Sequence, residues 1–127
     1  MSRQIYTGEN VSVSGPYSHA VDAGNHIFFS GQVAKNSTTY VEETGSIEEQ
    51  TKQCFLNLQE VLTAAKVSFD DVVKVNVYLT TMKNFEGMNQ VYQTMFQEPF
   101  PARTCVAVHE LPLGAAIEIE LIVFKKN

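Results

Sequence analysis

The chain has 127 residues, 44% of them apolar and 18% charged, a balance that suits one globular domain with a single core and excludes a disordered chain. The net charge is −5 and the one adjacent basic pair is Lys125-Lys126, so the clustered Lys and Arg that neutralise phosphates in nucleic-acid binders are missing. No apolar run is long enough to cross a bilayer, and Met1 to Tyr6 shows neither a secretory nor an import pattern, so a soluble cytoplasmic protein with reduced Cys54 and Cys105 is expected.

Ser18 to Asp22 and His26 to Gly31 flank the turn-forming trio Ala23-Gly24-Asn25 and read as a β-hairpin. Its second arm contains Ile27-Phe28-Phe29, apolar at consecutive positions, so both faces of that arm are expected to be buried. A polar connection runs from Lys35 to Gly45. Ser46-Ile47-Glu48-Glu49 then forms a capping box, and Ile47, Thr51, Cys54, Phe55, Leu58, Val61, Leu62 and Ala65 recur at helical spacing. Val73, Val75, Val77 and Leu79 alternate with Lys74, Asn76 and Tyr78, the pattern of a strand with one core face. A second helix is expected from Asn84 as N-cap, with Phe85, Met88, Tyr92, Met95 and Phe96 inward and Pro99 and Pro101 ending it. Thr104 to Val108 and Ala116 to Phe124 read as the last two strands. There is no linker or repeat, so residues 1–127 are read as a single α+β domain, a mixed sheet with two helices on one face.

The last strand carries Ile117, Ile119, Leu121 and Val123 on one face and Glu118, Glu120, Ile122 and Phe124 on the other. Two helices can cover only one face of such a sheet. Phe28 or Ile27, Tyr78, Ile122 and Phe124 would then leave an apolar surface in water, which predicts an oligomer built through that second face.

Little familiar chemistry is written in the chain. His19, His26 and His109 lack metal-ligand spacing, and there is no nucleotide loop and no nucleophile elbow. No metal and no cofactor is expected. Arg103 opens a strand with no carboxylate within four residues, so its charge needs a tertiary partner, and a guanidinium fork suits a carboxylate. Glu118 lies inside a β-branched strand, where Glu is disfavoured, and could do general acid/base work if desolvated. Cys105 is by type more often a small buried hydrophobe than a nucleophile. Gly15-Pro16-Tyr17 places a phenol at the hairpin entrance, Ser30-Gly31 permits close backbone approach, and Asn89 is either a site residue or solvent-facing.

Taken together, Gly15-Pro16-Tyr17-Ser18-His19-Ala20-Val21, Ser30-Gly31-Gln32, Asp71-Val72-Val73-Lys74-Val75, Asn89-Gln90-Val91-Tyr92, Pro101-Ala102-Arg103-Thr104-Cys105-Val106 and Ile117-Glu118-Ile119-Glu120 resemble, in order and spacing, the RidA/YjgF family. The resemblance implies a chorismate-mutase-like fold assembled as a homotrimer with sites at subunit clefts. It also implies hydrolysis of 2-aminoacrylate and 2-iminobutanoate to 2-keto acids and ammonia without metal or cofactor. By position, Arg103 would bind the substrate carboxylate and Glu118 would handle the water. The backbone around Cys105 and Gly31 would hold imine and water, and Tyr17, Ser30 and Asn89 would complete the wall. The alternatives are a non-catalytic binder of small carboxylates or a regulatory interaction protein, and, less in keeping with the charge, a ribonuclease or translation inhibitor. Departures from the family are Ala34 where Pro is frequent, His19 where Gln is common, and the Ser37 to Gly45 loop.

Overall fold

The computed structural model describes residues 3–13, 15–35 and 45–126, and the expected polar connection after Lys35 lies mostly outside the described residues. Six strands and two helices follow in the order β1 (Gln4–Tyr6), β2 (Ala20–Asp22), β3 (His26–Phe29), α1 (Ile47–Ala64), β4 (Val72–Leu79), α2 (Phe85–Met95), β5 (Ala102–Ala107) and β6 (Ile117–Phe124). They form one sheet in the order β1-β2-β3-β6-β4-β5, antiparallel except for the β4–β5 pair, whose crossover is α2. The mixed sheet with two helices is as expected. The short β1 is an addition, since three residues carry no readable alternation.

The hairpin turn is set by Asp22, whose Oδ1 accepts the Gly24 N–H at 2.8 Å while Gly24 takes a φ of 103°. α1 starts on the expected capping box. Ser46 Oγ accepts the Glu49 N–H at 3.1 Å and the Glu49 carboxylate accepts the Ser46 N–H at 3.3 Å. The stripe from Thr51 to Leu62 is buried against the sheet. On β6, Ile117, Ile119, Leu121 and Val123 are each at most 1% exposed, and Val75, Val77 and Leu79 of β4 join them.

Three local expectations are corrected. A register shift between Val72 and Lys74 inserts an extra residue into β4, so Val72 turns inward and Val73 outward, out of line with Val75. Asn84 precedes α2 but makes no side-chain cap, because a 3-10 turn over Met82–Asn84 has already given it near-helical backbone angles. Thr81 caps that turn instead, accepting the Lys83 N–H. On β3, Ile27 and Phe29 are buried while Phe28 is 48% exposed on the face without helices. That face also carries Phe124 and Ile122, paired across from His26 and Phe28, and Phe124, like Phe28, is exposed there.

Under the helices, Phe55 of α1, Phe69, Tyr92 of α2 and Phe96 pack edge-on, with ring centroids 5.6 to 6.0 Å apart, except for the tilted Tyr92–Phe96 pair at 4.9 Å. This rigid aromatic block underlies the part of the molecule where Arg103 sits.

Candidate active site

Strand registry decides where each singled-out side chain goes. Arg103 and Cys105 are paired with Val75 and Val77, so they share the helix face. Glu118 and Glu120 are paired with Tyr78 and Asn76, so they share the open face. The singled-out residues are thereby divided between two clefts.

The first cleft, about 350 Å³, lies beside β6 and takes Tyr17, Ser30, Gly31, Glu118 and Glu120 into its lining. At Gly31 the backbone meets the Glu118 side chain closely: a Cβ there would stand 2.9 Å from Glu118 Cδ, so any larger residue would displace that carboxyl group. Ser30 is fixed by two bonds, its Oγ–H donating to Ser18 O at 2.6 Å and its N–H to His19 O at 2.9 Å. The two carboxylates differ in surroundings. Glu120 accepts from Tyr78 Oη at 2.5 Å and from Asn76 Nδ2 at 3.1 Å, and the first of these bonds pushes the Tyr78 phenol up to about 12. Glu118 receives no such bond among the described residues, and burial, then the neighbouring Glu120 charge, raises its pKa above the usual carboxylate value. A carboxyl group set this way holds its proton more tightly than an ordinary carboxylate and can accept and return one.

The second cleft, about 500 Å³, lies between α2 and β5 and is lined by Asn89, Tyr92, Gln93, Phe100, Pro101 and Arg103. The Arg103 guanidinium donates from Nη1 to Asn89 Oδ1 at 2.6 Å and lies over the Tyr92 ring at 4.6 Å and the Phe85 ring at 5.5 Å. All three partners are neutral, and among the described residues the one ion pair is Lys125–Asp22. The fork is therefore oriented and partly desolvated with no carboxylate partner among the described residues, which is the condition for capturing an anion. Cys105 packs partly against the core. Burial pushes its thiol up, with Arg103 pulling the other way, the opposite of an activated thiolate. Cys54 is buried under α1 and its thiol is pushed up further by burial.

Within one chain the two clefts do not meet. Glu118 and Val106 are both paired with Tyr78, and Arg103 lies three residues back along β5, so strand spacing and rise put the Arg103 and Glu118 Cα atoms roughly 14 Å apart, on opposite faces. Tyr92 and Phe85, read from the sequence as inward-facing core residues, are the groups that hold the guanidinium. The signal was present: Phe85, Asn89 and Tyr92 fall at i, i+4 and i+7, one stripe of one helix.

The model of the family described as Endoribonuclease L-PSP matches residues 7–125. This chain belongs to that family, also called RidA/YjgF. A RidA-family relative from Dermatophagoides farinae, named 2-iminobutanoate/2-iminopropanoate deaminase, is 44% identical over 109 residues, 86% of this chain and 85% of its own. The mitochondrial protein mmf1 of Schizosaccharomyces pombe is 45% identical over 115 residues, 88% of this chain and 70% of its own. A solved structure of E. coli TdcF with bound serine superposes with a TM-score of 0.88 at 31% identity, covering 97% of this chain and 99% of that one. No helix among the described residues is long and apolar enough to cross a membrane.

Proposed function

We propose that this RidA-family chain is a 2-iminobutanoate/2-iminopropanoate deaminase acting in the cytoplasm, with each site assembled from the Arg103 cleft of one copy and the Glu118 cleft of the next in a homotrimer. The observation that carries the reading is the Arg103 guanidinium, held by Asn89 and two aromatic faces with no counter-charge among the described residues. The deaminase name of the Dermatophagoides relative and the serine bound to TdcF support a small amino-acid-derived substrate.

Arg103 takes the substrate carboxylate, and Asn89 fixes the plane of the fork. With 2-aminoacrylate, a proton delivered to C3 gives the iminium, whose C2 is already electrophilic. Water then adds to C2 and gives its proton to Glu118, which the raised pKa equips to accept and return it. Breaking the C–N bond of the resulting carbinolamine, with that proton returned to nitrogen and the hydroxyl proton then taken up by Glu118, releases ammonia and leaves pyruvate, and the proton so recovered replaces the one delivered to C3. Backbone groups near Gly31 and Cys105 hold water and imine, with Tyr17 and Ser30 closing the wall. Catalysis is then mostly positioning plus one mobile proton, which requires neither metal nor cofactor. The RNA cleavage in the family's description finds no support in a chain of net charge −5 with a single basic pair.

The test is to generate 2-aminoacrylate with a serine dehydratase and follow pyruvate release. Added protein should accelerate release, and Arg103→Ala should cut the acceleration at least about ten-fold. If wild type gives none, or Arg103→Ala equals it, the reading is wrong. Saturable, Arg103-dependent binding of 2-keto acids without turnover would establish the binder instead.

A further inference from the structure

The carboxylate cleft has a part that the deaminase chemistry leaves unused. Tyr17, Ser30 and Glu118 are taken up by the reaction and Glu120 by Tyr78 and Asn76, but Val33, Pro112 and Leu113 also line the cleft and offer no polar side chain. Leu113 is 53% exposed, more than any other large apolar side chain among the described residues. Its backbone sits at φ 61°, ψ 21°, in the left-handed region that leucine avoids. The other non-glycine residue with such a φ, Lys66, closes the C-terminal end of α1, where that conformation is ordinary. Leu113 has no helix to end. Its turn is held from both sides: the Ala115 N–H donates to Pro112 O at 3.1 Å, and the Ala116 N–H to Gln50 Oε1 at 3.1 Å. A disfavoured conformation pinned in place so as to leave a large apolar side chain exposed at a cleft is a mark of a binding surface.

Elimination says which part of a ligand it meets. In a 2-imino acid the carboxylate goes to Arg103, and the imine carbon and water to Glu118. The remaining substituent on C2 is the side chain, and the apolar trio is the matching surface. We infer that Val33, Pro112 and Leu113 form a side-chain subsite, and that it makes the chain prefer 2-imino acids with extended aliphatic side chains over those bearing a methyl group. The inference rests on the deaminase reading for its orientation of the substrate. Each methylene that enters such a subsite is worth a factor of about four in kcat/KM.

The test uses 2-imino acids made in place from alanine, 2-aminobutyrate, norvaline and leucine by an amino-acid oxidase with catalase. Hydrolysis is read by competition with semicarbazide trapping. In wild type, kcat/KM should climb along the series. In Leu113→Gly, whose new residue is at home at φ 61°, the norvaline-to-alanine ratio should fall about ten-fold or more. Leu113→Asp should invert the order. A ratio unchanged in Leu113→Gly, or a wild type that favours the methyl imine, overturns the subsite. Should wild type hydrolyse none of the four, the deaminase reading fails, and the subsite is judged by calorimetry with the matching 2-keto acids: affinity must rise with side-chain length in wild type and flatten in Leu113→Gly.

Discussion

A site shared between copies can be rebuilt from two inactive proteins. Arg103→Ala removes the carboxylate clamp, and losing a charge-assisted fork of this kind costs about 1.5 to 3 kcal/mol, or roughly 10- to 150-fold in kcat/KM. Glu118→Gln removes the proton carrier at a cost of about 10² to 10⁴. Neither protein alone has an intact site. The registry of β4 with β5 and β6 places the two side chains on opposite faces of one sheet, so no substrate of this size spans both within a chain. When the variants are co-expressed in equal amounts with different tags and assemble at random, half of the arginine positions and half of the glutamate positions are wild type. About one quarter of all sites then hold both, and because a closed trimer containing both variants has one such site in three, mixed trimers should recover about a third of wild-type kcat. The assay is pyruvate release from 2-aminoacrylate on doubly tag-purified mixed assemblies, with their composition read by native mass spectrometry. Confirmed mixed assemblies that stay at the level of the separate variants would refute the shared site.

Other outcomes follow from the same geometry. The raised pKa of Glu118 means that the folded protein holds this proton more tightly than the unfolded chain, so ionising the group costs stability as pH rises upward from its ordinary value of 4.5. Urea titrations should therefore show Glu118→Gln gaining on wild type between pH 5 and pH 8, and an equal gap at both pH values would contradict the desolvated carboxyl. Gly31→Ala drives a methyl against Glu118 Cδ, which would stand 2.9 Å away, and should lower kcat by at least ten-fold while Tm moves only a few degrees. The Tyr92 hydroxyl is buried without a partner among the described residues, so Tyr92→Phe should be neutral or stabilising. Tyr92→Leu removes the face beneath Arg103 and should raise KM about two- to thirty-fold, the range of a cation–π contact, with kcat far less affected. Equal KM in the two Tyr92 variants would show that the ring does not orient the guanidinium.

What the sequence made legible depended on the range of the interaction that fixes each feature. α1 could be read almost residue by residue, because its capping box and apolar stripe are both local patterns. The two faces of β6 followed from strict alternation over eight residues. Val73 was misplaced because a bulge depends on the partner strand's register, which alternation within β4 does not record. The expected site residues were nameable by resemblance, yet their division between two faces was not, since it depends on β5 pairing parallel with β4 and on β6 pairing antiparallel on the other side. Tyr92 shows the same limit at a single residue. Helical spacing marks it as inward-facing, and only the position of Arg103 reveals that its ring supports a cation.

The division of the charges is also an argument about assembly. A guanidinium clamped by neutral groups and a carboxyl group raised by burial each keep a charge or a proton that no described residue of their own chain balances. Oriented, partly dry groups of opposite tendency on opposite faces of one sheet suit a heterologous contact, in which the arginine side of one copy meets the glutamate side of the next and the rotation closes into a ring. The uncovered apolar face of Phe28, Ile122 and Phe124 supplies a non-directional driving force for such a contact. The anion that completes the arginine cleft would then be the substrate rather than a protein carboxylate. On this reading assembly builds the pocket and leaves its charge for the ligand to match, so a 2-keto acid should bind the oligomer far more tightly than a variant held monomeric by charges at Phe28 and Phe124.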